Sequence, residues 1–434
     1  MDQIAYIDSI DQEGRGIARV DNKVIFIDGA LPGESVTYRI RRQKPTYDLA
    51  EIASIRKPSA IRVKPKCSVY GLCGGCSFQH VDASAQVALK QRMLEEQLLR
   101  IGKVIPEQML SPIHGPYWGY RHRARLSVRY VRKKGKVLVG FREKRGSYVA
   151  DMDDCHILPR KFADLLPSLA RLIGSLSIAE KIPQIELLID DRQIALVLRH
   201  MESLSEEDKE KLLKYASINC IYWFLQPSGI ASIAPFPDNS AVRFLTYRLP
   251  EFNLLLNFNP SNFTQINPYI NQALIHQAMR FLQPKPGQKI ADFFCGLGNF
   301  TLPIAKLGAF AIGFEGSQAL VEQAKENARL NGLDDWVDAF EKNLFEIESN
   351  FFDQYDQFDA ALIDPPREGA LELVSALPDT GFNRIVYISC HAATLARDAD
   401  ILVNQKGYRL KQAGLANMFP HTSHFESIAL FERM

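Results

Sequence analysis

Three absences narrow what this chain of 434 residues can be. It has no run of about 18 apolar residues, so it predicts no membrane-spanning helix. Its start, MDQIAYIDSIDQEG, lacks the basic residues and apolar core of a signal peptide. It also lacks internal repeats, which excludes a repeat architecture. We therefore expect a cytoplasmic protein that is not bound to membranes and has no obligate protein partner.

Net charge is also small, at +2, but the charges are unevenly distributed. Residues 15–66 contain twelve Lys and Arg against five Asp and Glu. Residues 119–148 contain eleven Lys and Arg against one acid, Glu143. Two basic blocks on a nearly neutral chain are typical of a protein that binds a polyanion such as nucleic acid.

Three patterns divide the chain into predicted domains. Short alternating strands separated by glycines predict a small β-barrel over residues 1–57. Residues 58–255 begin with a cysteine-rich loop and a helix at 84–100, and their strand segments predict an antiparallel α+β domain. Strands alternate with helices over residues 256–434, which is typical of a parallel, doubly wound sheet. The predicted fold class is therefore multi-domain α/β.

Cysteine is sparse, with seven residues, and four of these form a pattern. Cys67, Cys73 and Cys76 have the spacing C-x5-C-x2-C, and Cys155 is the next cysteine along the chain. In a cytosolic chain such cysteines are more often ligands than disulfides. Structural zinc sites typically use two short cysteine pairs. Three clustered cysteines with a distant fourth favour an iron–sulfur cluster, with zinc as the alternative.

A glycine-containing loop follows the first strand of the third domain. In the stretch KIADFFCGLGNF, Gly296 and Gly298 let a ligand approach the backbone at a strand end, and the next strand ends on Glu315. An acid at that distance can accept both ribose hydroxyls of a nucleoside. A dinucleotide fingerprint would place Gly or Ala at position 301, where this chain has Thr301, so the pattern disfavours NAD(P).

The same stretches resemble the motifs of S-adenosylmethionine-dependent methyltransferases. ADFFCGLGNF, FEGS, ENARLNG with EKNLFE, and DAALIDPPREG match the four successive motifs in order. Arg367 stands where amino-methylating enzymes usually have an aromatic residue, which argues against N-methylation. The resemblance implies a Rossmann-like domain with S-adenosylmethionine as cofactor. The residues it assigns to cofactor binding are Gln265, Phe294, Asn299, Glu315, Asn343 and Asp364.

Two further segments, SCHAATLARD and MFPHTSHFESIALF, together with NFTQIN and DPPREG resemble the bacterial RNA 5-methyluridine methyltransferases. That resemblance implies that Cys390 is the nucleophile, which adds to C6 of uracil and thereby activates C5. It implies that Glu426 is the base that removes the C5 proton. The strand pattern independently places Cys390 at the carboxyl edge of the sheet, beside Asp364, where ligands of such folds bind.

The likeness extends to the other domains. The ribosomal-RNA branch of that family begins with a TRAM domain, a small OB-like RNA-binding barrel, and the opening residues of this chain resemble its pattern. The same branch carries a [4Fe-4S] cluster with matching cysteine spacing, which implies that Cys67, Cys73, Cys76 and Cys155 are its ligands. The resemblance therefore implies methylation of a uridine in 23S ribosomal RNA.

The chain departs from the family pattern after the nucleophile, and other functions stay open. His391-Ala392 stands where the family usually has Asn-Pro. We hypothesise that His391 lowers the pKa of the Cys390 thiol. Alternative functions are 5-methyluridine formation in transfer RNA, a non-catalytic RNA-binding iron–sulfur protein, and, less favoured, 5-methylcytosine formation.

The second basic block interleaves cations with aromatic residues. Aromatic rings can stack on unpaired bases, while arginines can bind phosphates. The target carbons of uracil are shielded in a base stack, so the base must be splayed or flipped out. The residues predicted to contact RNA are Arg121, Arg123, Arg125 and Arg129.

Overall fold

The protein is described by a computed structural model over residues 3–238, 244–348, 350–355 and 357–433. The strands in these ranges form four sheets, of six, six, two and eight strands. None of the helices in the same ranges is long and apolar enough to cross a membrane.

The N-terminal sheet closes on itself. Its strand order is β1-β5-β6-β4-β3-β2, and β1 and β2 are successive pieces of one extended segment, so the first and last strands of the order are joined. Buried side chains such as Ile7, Ile27 and Tyr38 fill the interior. The predicted barrel is thus confirmed. Its strands are β1 Gln3–Tyr6, β2 Ser9–Ile10, β3 Gly16–Val20, β4 Lys23–Asp28, β5 Ser35–Gln43 and β6 Tyr47–Lys57.

A buried ion pair joins this barrel to the segment that follows. Glu34 is fully buried and accepts hydrogen bonds of 2.5 and 2.8 Å from the Arg62 guanidinium. Phe78, also fully buried, packs against Gly14, where a Cβ would lie only 2.1 Å from the phenyl ring. The barrel is therefore seated directly on the cysteine-rich loop.

The central region contains a second six-stranded sheet, in the order β13-β12-β11-β10-β8-β9. The prediction of an antiparallel sheet is wrong for one pair, since β11 and β12 run parallel. Helix α4 forms the crossover between them, and such a connection returns the chain in the same direction. The elements are α1 Ala83–Arg100, β7 Gln108–Met109, β8 Arg123–Val131, β9 Lys136–Gly140, α2 Arg160–Ala163, α3 Leu166–Gly174, β10 Gln184–Ile189, β11 Ile194–Arg199, α4 Glu206–Asn219, β12 Ile221–Gln226, β13 Ala234–Phe236, β14 Leu245–Leu249 and β15 Leu254–Phe258.

The third sheet has the order β18-β17-β16-β19-β20-β22-β21-β7. It is parallel from β18 to β20, as predicted, while β22 is inserted antiparallel between β20 and β21. The strand order reverses between β16 and β19, which opens a crevice at their carboxyl ends. The elements are α5 Pro268–Leu282, β16 Lys289–Phe293, α6 Thr301–Lys306, β17 Phe310–Glu315, α7 Gln318–Leu330, β18 Val337–Glu341, β19 Ala360–Ile363, α8 Leu371–Ala376, β20 Arg384–Ser389, α9 Ala392–Asn404, β21 Tyr408–Ala416 and β22 Glu426–Arg433.

Part of the segment predicted as the central domain, 58–255, packs on this third sheet. Helix α1 buries Val87, Leu94 and Leu98, the face that the sequence predicts, against α9 and β21. Strand β7 pairs with β21 and extends the sheet. The third sheet and the helices packed on it thus include residues from well before position 256.

Candidate active site and cysteine cavity

The loop after β16 opens the crevice at the reversal of strand order. Phe294 has a positive φ of 66°, and the N–H groups of Phe294 and Cys295 both donate to the Phe314 carbonyl, at 2.8 and 3.1 Å. Gly296 has a φ of 57°, and a Cβ on it would meet no atom within 4 Å. The loop is therefore fixed to β17 and leaves free space over its backbone, which suits a bound nucleoside.

Three of the predicted cofactor residues converge beside that space. Glu315 accepts hydrogen bonds from the N–H groups of Gly296 (3.1 Å) and Ser317 (3.2 Å), and its burial raises the pKa of the carboxyl. The Lys342 N–H donates to the Glu315 carbonyl at 2.8 Å, which brings the next residue, Asn343, to the same edge. Phe294 completes the group, at a ring-centroid distance of 5.6 Å from Phe345.

Asp292 is a site residue that sequence reasoning missed. It is fully buried at the end of β16, and one carboxyl oxygen accepts a 2.5 Å hydrogen bond from the Thr301 hydroxyl. The other oxygen, Oδ1, has no hydrogen-bond partner within the described ranges. Burial raises the pKa of this carboxyl to about 7. An unpartnered buried acceptor beside an open glycine loop is the mark of a polar ligand site. The sequence signal that could have identified Asp292 is its place just before the glycines in ADFFCGLGNF.

The remaining cofactor residues lie on the opposite wall. Asn299 exchanges two 3.0 Å amide hydrogen bonds with Asn271 and accepts a third, also 3.0 Å, from the Tyr247 hydroxyl. Gln265 lines a cavity together with Asn271 and Tyr247. Asp364 directly follows β19, and its N–H donates to the Phe293 carbonyl at 3.2 Å. Gln265 is linked to Asn299 through the cavity that it shares with Asn271.

Cys390 and Glu426 lie side by side at this edge. Strands β20 and β22 pair with Ser389 opposite Ser427. Cys390 directly follows Ser389, and Glu426 directly precedes Ser427. Glu426 is buried and Cys390 is half-buried, and the two side chains are close enough that Glu426 raises the pKa of the Cys390 thiol. The structure thus brings a thiol and a carboxyl group together at this edge.

The electrostatics of the pair are dominated by acids. Burial, Glu426 and Asp364 together raise the pKa of the Cys390 thiol to about 11, and the Arg367 guanidinium opposes this shift. Burial first and Asp364 second raise the pKa of Glu426 well above its usual value. Burial raises the pKa of Asp364 to about 7. A positively charged ligand in the crevice would therefore be stabilised, and its charge would favour the thiolate.

The hypothesis that His391 activates the thiol is disfavoured by its surroundings. Burial and the nearby Arg367 and Arg397 guanidiniums lower the pKa of His391, so the imidazole is neutral near pH 7. A neutral ring cannot stabilise a thiolate by charge. Arg367, in the DPPREG motif, is the better source of positive charge, and sequence reasoning had used it only to exclude N-methylation.

We expect Arg367→Met to raise the pKa of the Cys390 thiol further, because it removes the cation that opposes the upward shift. Only the thiolate reacts with alkylating agents, so at a fixed pH below the thiol pKa a higher pKa means a slower reaction. The rate of iodoacetamide labelling of Cys390 at pH 8, followed by mass spectrometry, would fall about threefold or more.

The matched control is His391→Asn, whose labelling rate is expected to stay the same at every pH. A shifted pH profile for His391→Asn combined with an unchanged profile for Arg367→Met would reverse the assignment of the two side chains.

A second site is formed by the predicted ligand cysteines. All seven cysteines are free thiols, and one cavity is lined by the four predicted ones together with Phe141 and Met152. Hydrogen bonds of 2.8 Å from Gly74 to the Arg142 carbonyl and from Lys144 to the Leu72 carbonyl tie the loop to the chain after β9. The four cysteines that converge there from two segments are Cys67, Cys73, Cys76 and Cys155.

The donor set of this cavity includes four cysteine thiols. Within the described ranges, no group of three or more His, Cys, Asp or Glu side chains is placed so that it could hold a metal ion. A [4Fe-4S] cluster takes one thiolate per iron, so its four cysteines lie farther apart than the ligands of one zinc ion. Four sulfur donors around one cavity therefore fit a cluster in chemistry and number.

The predicted RNA-binding arginines are in different environments. Arg125 and Arg129 are exposed on one face of β8, and Arg121 is half-buried over the Phe141 ring. Arg123 is engaged with protein atoms: it pairs with Glu186 at 2.8 Å and donates to the carbonyls of residues 260 and 262. Arg123 thereby fixes the loop that carries Gln265, which is a structural role that its position on the strand did not reveal.

Comparison with known proteins agrees with this geometry. The family model described as tRNA (uracil-5-)-methyltransferase matches residues 83–434, and the TRAM domain model matches residues 5–53. A protein of Nitrosospira multiformis is 52% identical over 429 residues, which cover 98% of both chains. One of Azoarcus sp. is 53% identical over 430 residues, or 99% of both. Both are named 23S rRNA (uracil(1939)-C(5))-methyltransferase RlmD.

A solved structure shares the whole fold. The Pyrococcus abyssi tRNA (uracil-54, C5)-methyltransferase in complex with S-adenosyl-L-homocysteine superposes with a TM-score of 0.73, at 23% identity, over 99% of each chain. Fold, family models and full-length relatives at about half identity all agree. The chain belongs to the tRNA (uracil-5-)-methyltransferase family.

Proposed function

We propose that this protein is an S-adenosylmethionine-dependent methyltransferase that converts a uridine of 23S ribosomal RNA into 5-methyluridine in the cytoplasm. The proximity of Cys390 and Glu426 at the adjacent ends of β20 and β22 is the observation that carries the proposal. The relatives named as 23S rRNA methyltransferases, which match this chain from end to end, support the choice of substrate.

Several features of the crevice support S-adenosylmethionine as the cofactor. We propose that Glu315, which accepts the Gly296 N–H, would also accept the ribose hydroxyls, and that Asn343 and Phe294 would contact the adenine. The unpartnered oxygen of Asp292 would accept a hydrogen bond from the amino-acid part. The open space over Gly296 would let the ligand lie close to the backbone of the loop. When bound, this cofactor supplies an electrophilic methyl group on a positively charged sulfur.

Cys390 and Glu426 carry the chemistry on uracil. The Cys390 thiolate bonds to C6, and the electron pair of the C5=C6 bond moves toward C5 and O4 as an enolate. C5 then takes up the methyl group. Glu426 accepts the proton of C5, the C5=C6 double bond reforms, and Cys390 leaves as a thiolate. Burial and Asp364 raise the pKa of Glu426, which makes its carboxylate a stronger base once the group has lost its proton.

The RNA is proposed to lie across the basic surfaces of two domains. The exposed Arg125 and Arg129 would bind phosphates, as would the basic strands of the TRAM barrel. Phe263, which is 68% exposed two residues before Gln265, offers a ring on which an extruded base can stack.

We further propose that the four-cysteine cavity holds a [4Fe-4S] cluster. Replacing any one of its ligands with serine is expected to lower the iron content of purified protein from about four to below one atom per chain, because a cubane needs its cysteine thiolates. Iron and acid-labile sulfide assays would measure this for Cys67, Cys73, Cys76 and Cys155.

Two cysteines outside the cavity are matched controls. Cys220→Ser, at an exposed position, and Cys295→Ser, in the glycine loop, are both expected to keep full iron content. One zinc atom and no sulfide in the wild-type protein would replace the cluster with a zinc site.

The function is tested by release of tritium from RNA labelled at uracil C5. The wild-type protein with S-adenosylmethionine is expected to release tritium from unmodified 23S ribosomal RNA and not from transfer RNA. Release from transfer RNA alone would move the activity to that substrate. Release from neither RNA would overturn the proposal.

A further inference from the structure

The segment 417–425, which joins β21 to β22 and leads directly into Glu426, is held by residues far away in the sequence. It contributes no strand or helix of its own. Within it, His421 is a non-glycine residue with a φ of 65°, in the left-handed region that side chains other than glycine rarely adopt. Such a conformation persists only when the surroundings impose it.

The cysteine-rich loop provides the first set of contacts. The N–H groups of Ser77 and Phe78 both donate to the His421 carbonyl, at 2.9 and 2.8 Å. The Ser77 hydroxyl accepts a 3.1 Å hydrogen bond from the Ser423 N–H. Ser77 follows Cys76, one of the four cavity cysteines, so both sites share one short stretch of backbone.

Helix α1 provides the second set through two fully buried polar side chains. Gln86 accepts a 2.8 Å hydrogen bond from the His421 N–H and donates to the Phe78 carbonyl at 3.1 Å. The Lys90 ammonium donates to the Asn417 side chain at 2.7 Å and to the Phe419 carbonyl at 3.0 Å. Long polar side chains are rarely fully buried unless they are paired, so these pairings are specific.

Trp118 and Tyr120 provide the third set of contacts to the segment. The Tyr120 hydroxyl donates to the Pro420 carbonyl at 2.9 Å, and the Trp118 ring stacks on His421 at 3.8 Å between centroids. The main-chain path that delivers Glu426 to the active site is thus set by the cysteine-rich loop, α1 and this aromatic pair.

We propose that Ser77 and Lys90 are positioning residues for Glu426. Through them, a ligand bound in the cysteine cavity affects the removal of the C5 proton by Glu426. The inference rests on the proposed function. A ligand held by Cys76 fixes the backbone at Ser77 and Phe78, which fixes His421 and, five residues on, Glu426. Cys390 directly follows β20, and none of the contacts described above is made to it.

This arrangement singles out one step of the reaction. A displaced Glu426 leaves thiol addition and methyl transfer intact and slows removal of the C5 proton, on which release of Cys390 depends. A covalent complex of protein and methylated RNA therefore accumulates. A merely destabilising substitution would slow methyl transfer and proton removal together.

The test uses iron-loaded Ser77→Ala, which removes the acceptor of the Ser423 N–H. Tritium release is expected to fall about tenfold, since small displacements of a catalytic group cost that much or more. Single-turnover methyl transfer is expected to match the wild-type rate, and a denaturation-resistant complex is expected on gels. Hydrogen exchange in peptides covering 417–425 is expected to rise independently of any activity measurement.

Three further variants complete the design. Ser77→Thr retains the hydroxyl and is expected to restore wild-type behaviour. Ser84→Ala removes an exposed hydroxyl at the start of α1 that donates to Asp82, and it is expected to change none of these measurements. Lys90→Met removes the contacts that α1 makes to the segment and is expected to give the same accumulation of covalent complex.

Unchanged exchange and unchanged rates in Ser77→Ala and Lys90→Met would overturn the positioning role, as would an equal loss in methyl transfer and proton removal. Failure of the proposed function is a different result. It would show as no tritium release by the wild-type protein, and it would remove the positioning role with it.

Discussion

Cys390→Ala is expected to reduce tritium release from C5-labelled RNA to background, a loss of about four orders of magnitude or more. C5 of uracil is a poor nucleophile until a thiolate adds to C6, and Cys390, near Glu426 at the sheet edge, is the thiol proposed for this step. The covalent protein–RNA complex is also expected to disappear. Binding of RNA is expected to be unchanged, since the arginines proposed to bind phosphates lie on β8.

The most demanding control is Cys295→Ala. This thiol also lies beside the cofactor crevice, but it is buried against Gly313 within the glycine loop. It is expected to retain tritium release within a few-fold of wild type. Loss of the covalent complex in Cys295→Ala together with its survival in Cys390→Ala would transfer the role of nucleophile to Cys295.

The second large effect is expected for Glu426→Gln. This substitution keeps the shape of the side chain and removes the proposed base, so turnover is expected to fall by about 10²- to 10⁴-fold. One methyl group per chain is still expected to be transferred. Gel electrophoresis with labelled methyl groups is expected to show a stable complex containing protein, RNA and label.

The same substitution has a predictable effect on the thiol. The Glu426 carboxylate contributes to the raised pKa of Cys390, so its removal lowers that pKa. Alkylation of Cys390 at pH 8 is then expected to be faster than in the wild type. Glu432→Gln, at the far end of β22 where Glu432 pairs with Arg384, is the matched control. Simultaneous loss of methyl transfer and of the complex would rule out Glu426 as a base acting after methyl transfer.

Sequence patterns predicted the edge of the sheet at which the candidate site lies, but not how Cys390 and Glu426 come together. Cys390 directly follows β20, a strand of the parallel series, so its place at the carboxyl edge follows from chain order. Glu426 is adjacent because β22 enters the sheet between β20 and β21 in the reverse direction. No local pattern encodes that insertion, since it depends on which strand edge is free.

Buried polar residues were the least predictable part of the molecule. The spacing of Val87, Leu94 and Leu98 predicts the buried face of α1, and that face is confirmed. Gln86 and Lys90 share it, although both are residues that usually face solvent. Their partners, His421 and Asn417, are 335 and 327 positions away, so nothing near them in the sequence reveals the pairing.

Alternation along β8 was informative only in part. Arg123, Arg125 and Arg129 share one face of the strand. The alternation of side chains along a strand therefore predicts the same environment for all three. The loop before α5 folds over the beginning of the strand and takes up Arg123, while the two later arginines stay exposed. Contacts between distant loops decide such differences.

The insertion of β22 also bears on how the enzyme is made. A ribosome synthesises the chain from the N-terminus, and the barrel and central sheet can form while later residues are still being added. The third sheet forms later, because its strand between β20 and β21 consists of residues 426–433, which are synthesised after both neighbouring strands. Until β22 has been synthesised, β20 and β21 lack the strand that joins them. A nascent chain therefore gains Glu426 only after both of these strands have been made, and a chain that stops before residue 426 leaves two strand edges unpaired and open to aggregation.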